Sequence, residues 1–151
     1  MELQIIEYQP AYKEDFKRIN VEWIEKFFTV EPQDLVQLDN PQSIIDGGGQ
    51  IYFAKLDDKI VGTAALIHDG SDEYELAKMG VSPSAQGLGL GRKLCIVAIE
   101  EAIRRKAKAL YLRSNRSLTP AISMYLSVGF VEVPLDASHY KRANIKMDYP
   151  L

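Results

Sequence analysis

Apolar and polar positions alternate along this chain in segments that read as strands and helices. Leu3 to Tyr8 is apolar enough for a first strand, and Pro10 punctuates it. From Tyr12 to Phe28 apolar residues recur at Phe16, Ile19, Trp23 and Phe27, a helical stripe. Pro32, Pro41 and Gly47-Gly48-Gly49 break the stretch 29–49 into a short helix and loops. Ile51–Ala54 and Ile60–Ile67 flank the polar Asp57-Asp58-Lys59 and predict a hairpin. After a turn over Asp69–Asp72, a further strand runs from Tyr74 to Val81 and ends at Ser82-Pro83. Gly89–Lys106 predicts an amphipathic helix, with Leu90, Leu94, Val97, Ala98 and Ala102 on one face. Glu100, Glu101, Arg104 and Arg105 lie on the other. Ala109–Leu112 is a short buried strand. Thr119-Pro120 predicts a helix start, with Thr as cap and Pro first in the helix, and Gly129 marks its end. Phe130–Val133 and Ala143–Tyr149 complete the chain as strands. The order βααβββαβαββ predicts a mixed α/β sheet with a crossover between the strands ending at Val81 and Leu112.

Composition narrows the function. The 151 residues suit one domain spanning 1–151, and 46% apolar with 26% charged residues is a globular balance. Eighteen Lys and Arg against 21 Asp and Glu leave a charge of −3, which argues against a nucleic-acid partner. Apolar runs fall short of the roughly 18 residues that cross a bilayer, so no membrane partner is expected. Met1 to Tyr8 carries acids where a secretion signal has basic then apolar residues, so a cytoplasmic location is expected. The lone Cys95 cannot form an internal disulfide, and no ligand set for a metal is visible.

The most informative segment is the run from Ser82 to Lys93, Ser-Pro-Ser-Ala-Gln-Gly-Leu-Gly-Leu-Gly-Arg-Lys. It follows a strand and opens a helix. Closely spaced glycines let several backbone N–H groups face one point, and a helix start adds unpaired N–H groups and partial positive charge. Such a turn suits a phosphate or pyrophosphate, with Arg92 and Lys93 adding charge at its mouth. A dinucleotide fingerprint fails on spacing, because the glycines fall at 87, 89 and 91 and the following strand ends in Arg113-Ser114-Asn115 rather than an acid. A P-loop fails likewise.

Gln86, Gly89 and Gly91 form the pattern Gln-x-x-Gly-x-Gly. It resembles the acyl-CoA pyrophosphate loop of the GNAT superfamily of N-acetyltransferases. Met79-Gly80-Val81-Ser82-Pro83 resembles that family's fourth strand, and Leu110 to Asn115 its fifth. Ala121 to Phe130 resembles the following helix with its Tyr…Gly-Phe ending. The strong resemblance covers about residues 74–133, and the element order fits from 3 to 149.

The resemblance implies an α/β fold with a mixed, mostly antiparallel sheet, helices on both faces and a splay between the fourth and fifth strands. It implies acetyl-CoA, or coenzyme A, as co-substrate, with no metal. Met79, Gly80 and Val81 would then pair with the pantetheine arm. Gln86, Gly87, Leu88, Gly89, Leu90, Gly91 and Arg92 would hold the pyrophosphate. Asn115 would lie beside the pantetheine, and Ala121, Met124 and Tyr125 would line its far side. The implied reaction is acetyl transfer to a primary amine by direct attack on the thioester, with no enzyme nucleophile.

Tyr125 matches the tyrosine that the family commonly places beside the CoA sulfur, and is the candidate acid; the alternative is an aromatic core residue. Glu75 is the candidate base, since 75, 77 and 79 share a face under period-two alternation. Some histone-acetylating members place their glutamate base at the matching position. Asp72, Glu73, Glu22 and ordered water are the alternatives for that role, and for Glu75 itself the alternative is an exposed edge-strand acid or an ion pair with Lys78 or another lysine. Cys95 reads as a small buried hydrophobe. His68 flanks a turn and reads as solvated, whereas His139 lies where members often shape the acceptor pocket. Trp23, Phe27 and Phe28 read first as core, in a segment corresponding to the helices that wall the acceptor site. Glu22 and Glu25 read as a solvated helix face. The acceptor stays open among a polyamine-like molecule, an amino acid, an antibiotic and a protein lysine or N-terminus. Members often dimerise through C-terminal strands, and Asn144 to Asp148 alternates as such a strand does. A non-catalytic CoA-binding sensor on the same fold is the competing reading.

Overall fold

The hairpin expected around Asp57-Asp58 forms, with β2 at Gln50–Leu56 and β3 at Lys59–His68. Asp57 takes a positive φ of 54° at the two-residue turn, a conformation aspartate tolerates in such loops. The computed structural model describes residues 2–135 and 141–151. The remaining strands are β1 (Leu3–Glu7), β4 (Glu73–Val81), β5 (Ala109–Ser114), β6 (Val131–Val133) and β7 (Ile145–Tyr149). The helices are α1 (Lys13–Phe27), α2 (Pro32–Leu38), α3 (Gln42–Asp46), α4 (Leu90–Arg104) and α5 (Thr119–Val128).

The strands form one seven-stranded sheet in the order β1-β2-β3-β4-β5-β7-β6. The β4–β5 pair is parallel and the other pairs are antiparallel. Two apolar clusters cover its two faces. Leu66, Leu76, Leu110, Leu112 and Met147 pack with Leu94 and Ala98 of α4 on one side. Ile51, Phe53, Ile60 and Ala65 pack with Phe16 and Ile19 of α1 and Leu38 of α2 on the other. Helices therefore cover both faces, as the mixed α/β expectation required. Among the described residues no helix is long and apolar enough to cross a membrane.

Three local expectations need correction. The stretch 29–49 holds two short helices rather than one. Pro32 starts the first, where Glu31 and Asp34 form a reciprocal capping box. The α5 cap is Leu118, not Thr119: the Ile122 N–H donates to the Leu118 carbonyl at 3.0 Å, so helical bonding begins a residue earlier and Pro120 stands second. The third correction concerns β4. Its ladder with β3 steps from Ala65↔Ala77 to Thr63↔Gly80, so Lys78 and Met79 oppose Ala64 alone. This is a bulge, and Lys78 carries a positive φ of 51° within it. The bulge inverts the alternation. Leu76 packs on the α4 side, yet a Cβ on Gly80 would meet Trp23 of α1 at 2.4 Å. Met79 packs on the α4 side as well. Glu75, next to Leu76, therefore faces the α1 side, and residues 75, 77 and 79 do not share one face.

Candidate active site

β4 pairs with β5 only at Glu73↔Ala109, Tyr74↔Leu110 and Glu75↔Tyr111. Beyond that point, among the described residues, β4 continues to Val81 in backbone pairing with β3, while β5 continues to Ser114 in pairing with β7. The two strands part, and the β4 edge from Leu76 to Val81 turns its peptide groups to a cleft. A cavity of about 420 Å³ fills the parting. Glu75, Met79, Gly80, Val81, Gln86, Asn115, Ala121 and Tyr125 all line it. An unpaired strand edge beside such a cavity is suited to an extended, amide-bearing ligand.

At the end of β4 the chain makes a short 3-10 turn over Pro83–Ala85 and enters the glycine run. Gly87 and Gly89 take φ of 85° and 73°. No heavy atom stands within 4 Å of a Cβ built on either glycine, so their backbone conformation rather than crowding calls for glycine. Gly89 is the α4 N-cap, which leaves the N–H groups of Leu90, Gly91 and Arg92 without intrahelical acceptors. The N–H groups of residues 87–92 meet no backbone acceptor among the described residues. They form a donor-rich concavity of the kind that binds phosphate. Gly87 to Arg92 lie outside the cavity lining and extend from Gln86 at its end. The Leu90 side chain is buried in the core, so only its backbone faces outward chemistry. Arg92 donates to the Ser127 Oγ at 2.7 Å, tying α4 to α5. The Met124 Cε stands 3.9 Å from a Cβ built on Gly91, outside the cavity lining.

Tyr125 projects from α5 with its ring edge-on to Phe130, the centroids 6.0 Å apart. Burial raises its phenol well above the ordinary value of 10, and the nearby Cys95 adds to the rise. The hydroxyl stays protonated at neutral pH. Cys95 is wholly buried and burial pushes its thiol up to about 12, which suits the packing role read from sequence. The Asn115 amide donates to the Arg142 carbonyl at 2.6 Å, and its oxygen accepts from the Ser117 N–H at 2.9 Å. It fixes the end of β5 against the approach to β7.

Burial raises the Glu75 carboxyl above the usual range, while the charge of Arg113 pulls it down. Arg113 Nη1 donates to Glu75 Oε2 at 3.3 Å. Glu75 thus presents a guanidinium-paired carboxyl to the cleft, paired with an arginine where the sequence offered a lysine. Asp72 and Glu73 lie outside the cavity lining, as does Glu22, which with Glu25 borders a separate surface hollow beside Glu14 and Arg18.

A buried ionic network closes the α1 side of the cleft. Asp34 is fully buried and accepts from the Glu31 N–H at 2.8 Å, Lys78 Nζ at 2.8 Å and both Arg142 Nη atoms at 2.9 and 2.6 Å. Burial alone would raise its carboxyl. Hydrogen bonds from Arg142, then Lys78 and the Glu31 backbone, outweigh it and hold the value at about 2. Trp23, Lys26, Phe27 and Phe28 complete that wall. Trp23, Phe27 and Phe28 therefore border the cleft rather than the core, and Phe27 is 55% exposed.

His68 is not solvated as expected: its Nδ1 lies 3.0 Å from the Gly47 carbonyl, its ring lies against Tyr74, and its Nε2 is buried. His139 lies outside the described residues. Sequence reasoning missed Lys26, Asp34, Lys78, Arg113 and Arg142 as site residues. Arg113 alone carried a local signal, being next but one to Asn115.

A model of the acetyltransferase (GNAT) family matches residues 12–130. An uncharacterized N-acetyltransferase, YjgM of Escherichia coli K12, is 29% identical over 130 residues, covering 82% of this chain and 77% of its own. A GNAT-family acetyltransferase structure from Staphylococcus aureus Mu50 superposes with a TM-score of 0.87 at 24% identity, covering 98% of each chain. The PaiA N-acetyltransferase of Thermoplasma acidophilum, solved in complex with coenzyme A, superposes with a TM-score of 0.79 at 15% identity over the full length of both chains.

Proposed function

The chain belongs to the acetyltransferase (GNAT) family, and on that premise we propose that it moves an acetyl group from acetyl-CoA to a primary amine by direct attack within a ternary complex. The observation that carries this reading is the unpaired β4 edge, which runs from the pairing at Glu75↔Tyr111 towards the glycine turn at Gln86. An extended pantetheine arm pairs with that edge through Met79 and Val81. A pyrophosphate sits on the N–H groups of residues 87–92. Asn115 and Ala121 flank the arm on the β5 and α5 side. Acetyl-CoA supplies an activated acyl carbon as its thioester.

The roles of the chain's own groups follow from charge and protonation. An amine attacks only when neutral, yet its ordinary pKa is about 10.4, so a base must take a proton. Glu75, raised by burial, takes it. The nitrogen–carbon bond forms and the carbon–sulfur bond breaks. Tyr125, kept protonated, gives a proton to the leaving sulfur. No residue of the chain forms a covalent bond with the acetyl group.

Thiol release from acetyl-CoA, followed with a panel of primary amines, tests this reading. Release that depends on both partners, with N-acetylated product by mass, is the expected result. Binding of CoA with no release for any amine would instead make the chain a CoA-binding module.

A further inference from the structure

Resting on the acyltransferase reading, we infer that the acceptor is a small primary amine carrying an aromatic ring on a short chain, the chemistry of an arylalkylamine. The inference comes from the end of α1, where Trp23, Phe27 and Phe28 all line the cavity at the strand parting. Among the described residues, none of the three belongs to either apolar cluster that fills the fold. Phe27 keeps more than half of its surface exposed. Large apolar side chains left outside the core at the edge of a cavity mark a ligand surface.

Trp23 is held in place by its neighbours. Its Nε1 donates to the Asn20 Oδ1 at 3.0 Å, and the buried Asn20 donates in turn to the Phe16 carbonyl at 2.9 Å. With its one polar group bonded within α1, the indole offers the cleft carbon alone. The ring lies against Gly80, where a Cβ would stand 2.4 Å from the Trp23 Cδ1. Gly80 falls between Met79 and Val81, whose backbone pairs with the thioester arm in that reading, so a ligand ring seated on Trp23 lies beside the arm. The charged groups of the same wall are engaged with partners. Lys78 and Arg142 bind Asp34, and their side chains are 4% and 14% exposed. Arg113 binds Glu75, and the Lys26 Nζ stands 5.4 Å over the Phe27 ring. Among the described residues the end of α1 therefore gives the ligand a mainly aromatic surface. Such a surface takes a flat ring, stacked or edge-on, in preference to a hydrated group. The cavity of about 420 Å³ must also admit the thioester arm, which favours a small acceptor over a folded protein surface.

Thiol release is measured with phenethylamine and tryptamine against propylamine, which lacks the ring, and against cyclohexylethylamine, spermidine and a peptide with an N-terminal alanine. Wild type is compared with Phe27→Ala, and phenethylamine and propylamine are also titrated calorimetrically into each CoA-bound protein. Phe27 is exposed and outside both clusters, so its truncation leaves the packed core intact. The aromatic amines are expected to exceed propylamine in kcat/KM by about tenfold or more, the effect of seating one ring on aromatic surface. In Phe27→Ala that ratio falls by about threefold or more. Comparing ratios between the two proteins cancels the different intrinsic reactivities of the amines and any change in CoA binding common to both. Calorimetry reads the same contrast without turnover: phenethylamine binds more tightly than propylamine, and the gap narrows in Phe27→Ala. If that contrast appears while no amine is acetylated, the aromatic-amine site stands and the acyltransferase reading fails. If amines are acetylated with no preference for the ring, the acyltransferase reading stands and the inference fails. A ratio unmoved by Phe27→Ala, equal or better turnover of cyclohexylethylamine, a preference for spermidine or the peptide, or no binding by either titrated amine would overturn it.

Discussion

Lys78 and Asp34 stand 44 residues apart in the chain, yet their side chains meet at 2.8 Å with almost no solvent exposure. The pair has a local consequence. Lys78 occupies the β4 bulge in a left-handed conformation that costs a non-glycine residue roughly 1–2 kcal/mol. Its ion pair with Asp34 holds the side chain in that place. The bulge in turn sends Met79 to the α4 side and brings Gly80 against Trp23. An acid in a short helix thus helps to shape the strand edge that borders the cleft.

Replacing Asp34 by Ala would leave Lys78 and Arg142 without their shared carboxylate. Loss of one partner from a buried ionic network costs about 3–5 kcal/mol. Denaturant unfolding of Asp34→Ala is expected to show a loss of that size. A change below about 1 kcal/mol would mean that the network contributes little to the fold.

The same carboxyl predicts an acid limit to stability. Its value is about 2 in the fold against an ordinary 3.8, so the unfolded chain binds its proton more readily. The stabilisation is complete above pH 4 and fades as pH falls towards 2. It amounts to about 2 kcal/mol. Unfolding free energies measured across that window should decline more steeply for wild type than for Asp34→Asn. Parallel slopes for the two proteins would assign acid sensitivity to other groups.

Glu75 shifts the opposite way. Burial raises it above 4.5 despite Arg113, so the acid limb of kcat/KM should lie above that value. Glu75→Gln should remove the limb and lower turnover by roughly a hundredfold. An unaltered pH–rate profile would pass the role of base to water or to another acid.

Tyr125→Phe keeps the ring against Phe130 and removes only the hydroxyl. Turnover should fall by about a hundredfold with the KM for acetyl-CoA nearly constant. An unchanged kcat would leave Tyr125 as a wall of the cleft.

These predictions draw on features of unequal visibility in the sequence. The β2–β3 hairpin, α4 and the glycine run were legible because each is set by neighbours within a few residues: alternation, a helical stripe, a φ that glycine alone adopts readily. The cleft side holding Met79, Gln86, Asn115 and Tyr125 was legible only through a family likeness carried by short motifs. The bulge at Lys78 was missed although the sequence carries a trace of it: apolar residues stand at Tyr74 and Leu76 and then, out of phase, at Met79 and Val81, and only pairing with β3 shows where the shift falls. The ionic network around Asp34 was hidden because its members lie far apart in the chain. Arg142 meets Asp34 across 108 residues and Lys78 meets it across 44, and no local pattern records such contacts. The cap of α5 was misplaced by a residue, since Thr119-Pro120 and Leu118 differ only in where hydrogen bonding begins.

The central claim is that the glycine turn and the unpaired β4 edge hold coenzyme A. Calorimetric titration of CoA into wild type and into Gly89→Val tests it most directly. Gly89 lies at φ 73° with open space where a side chain would stand, so a valine both strains the turn and covers its N–H groups. Saturable one-to-one binding by wild type, weakened by about tenfold or more in the variant, is the predicted result. No heat of binding to a folded wild-type protein, or equal affinity in both, would contradict the account.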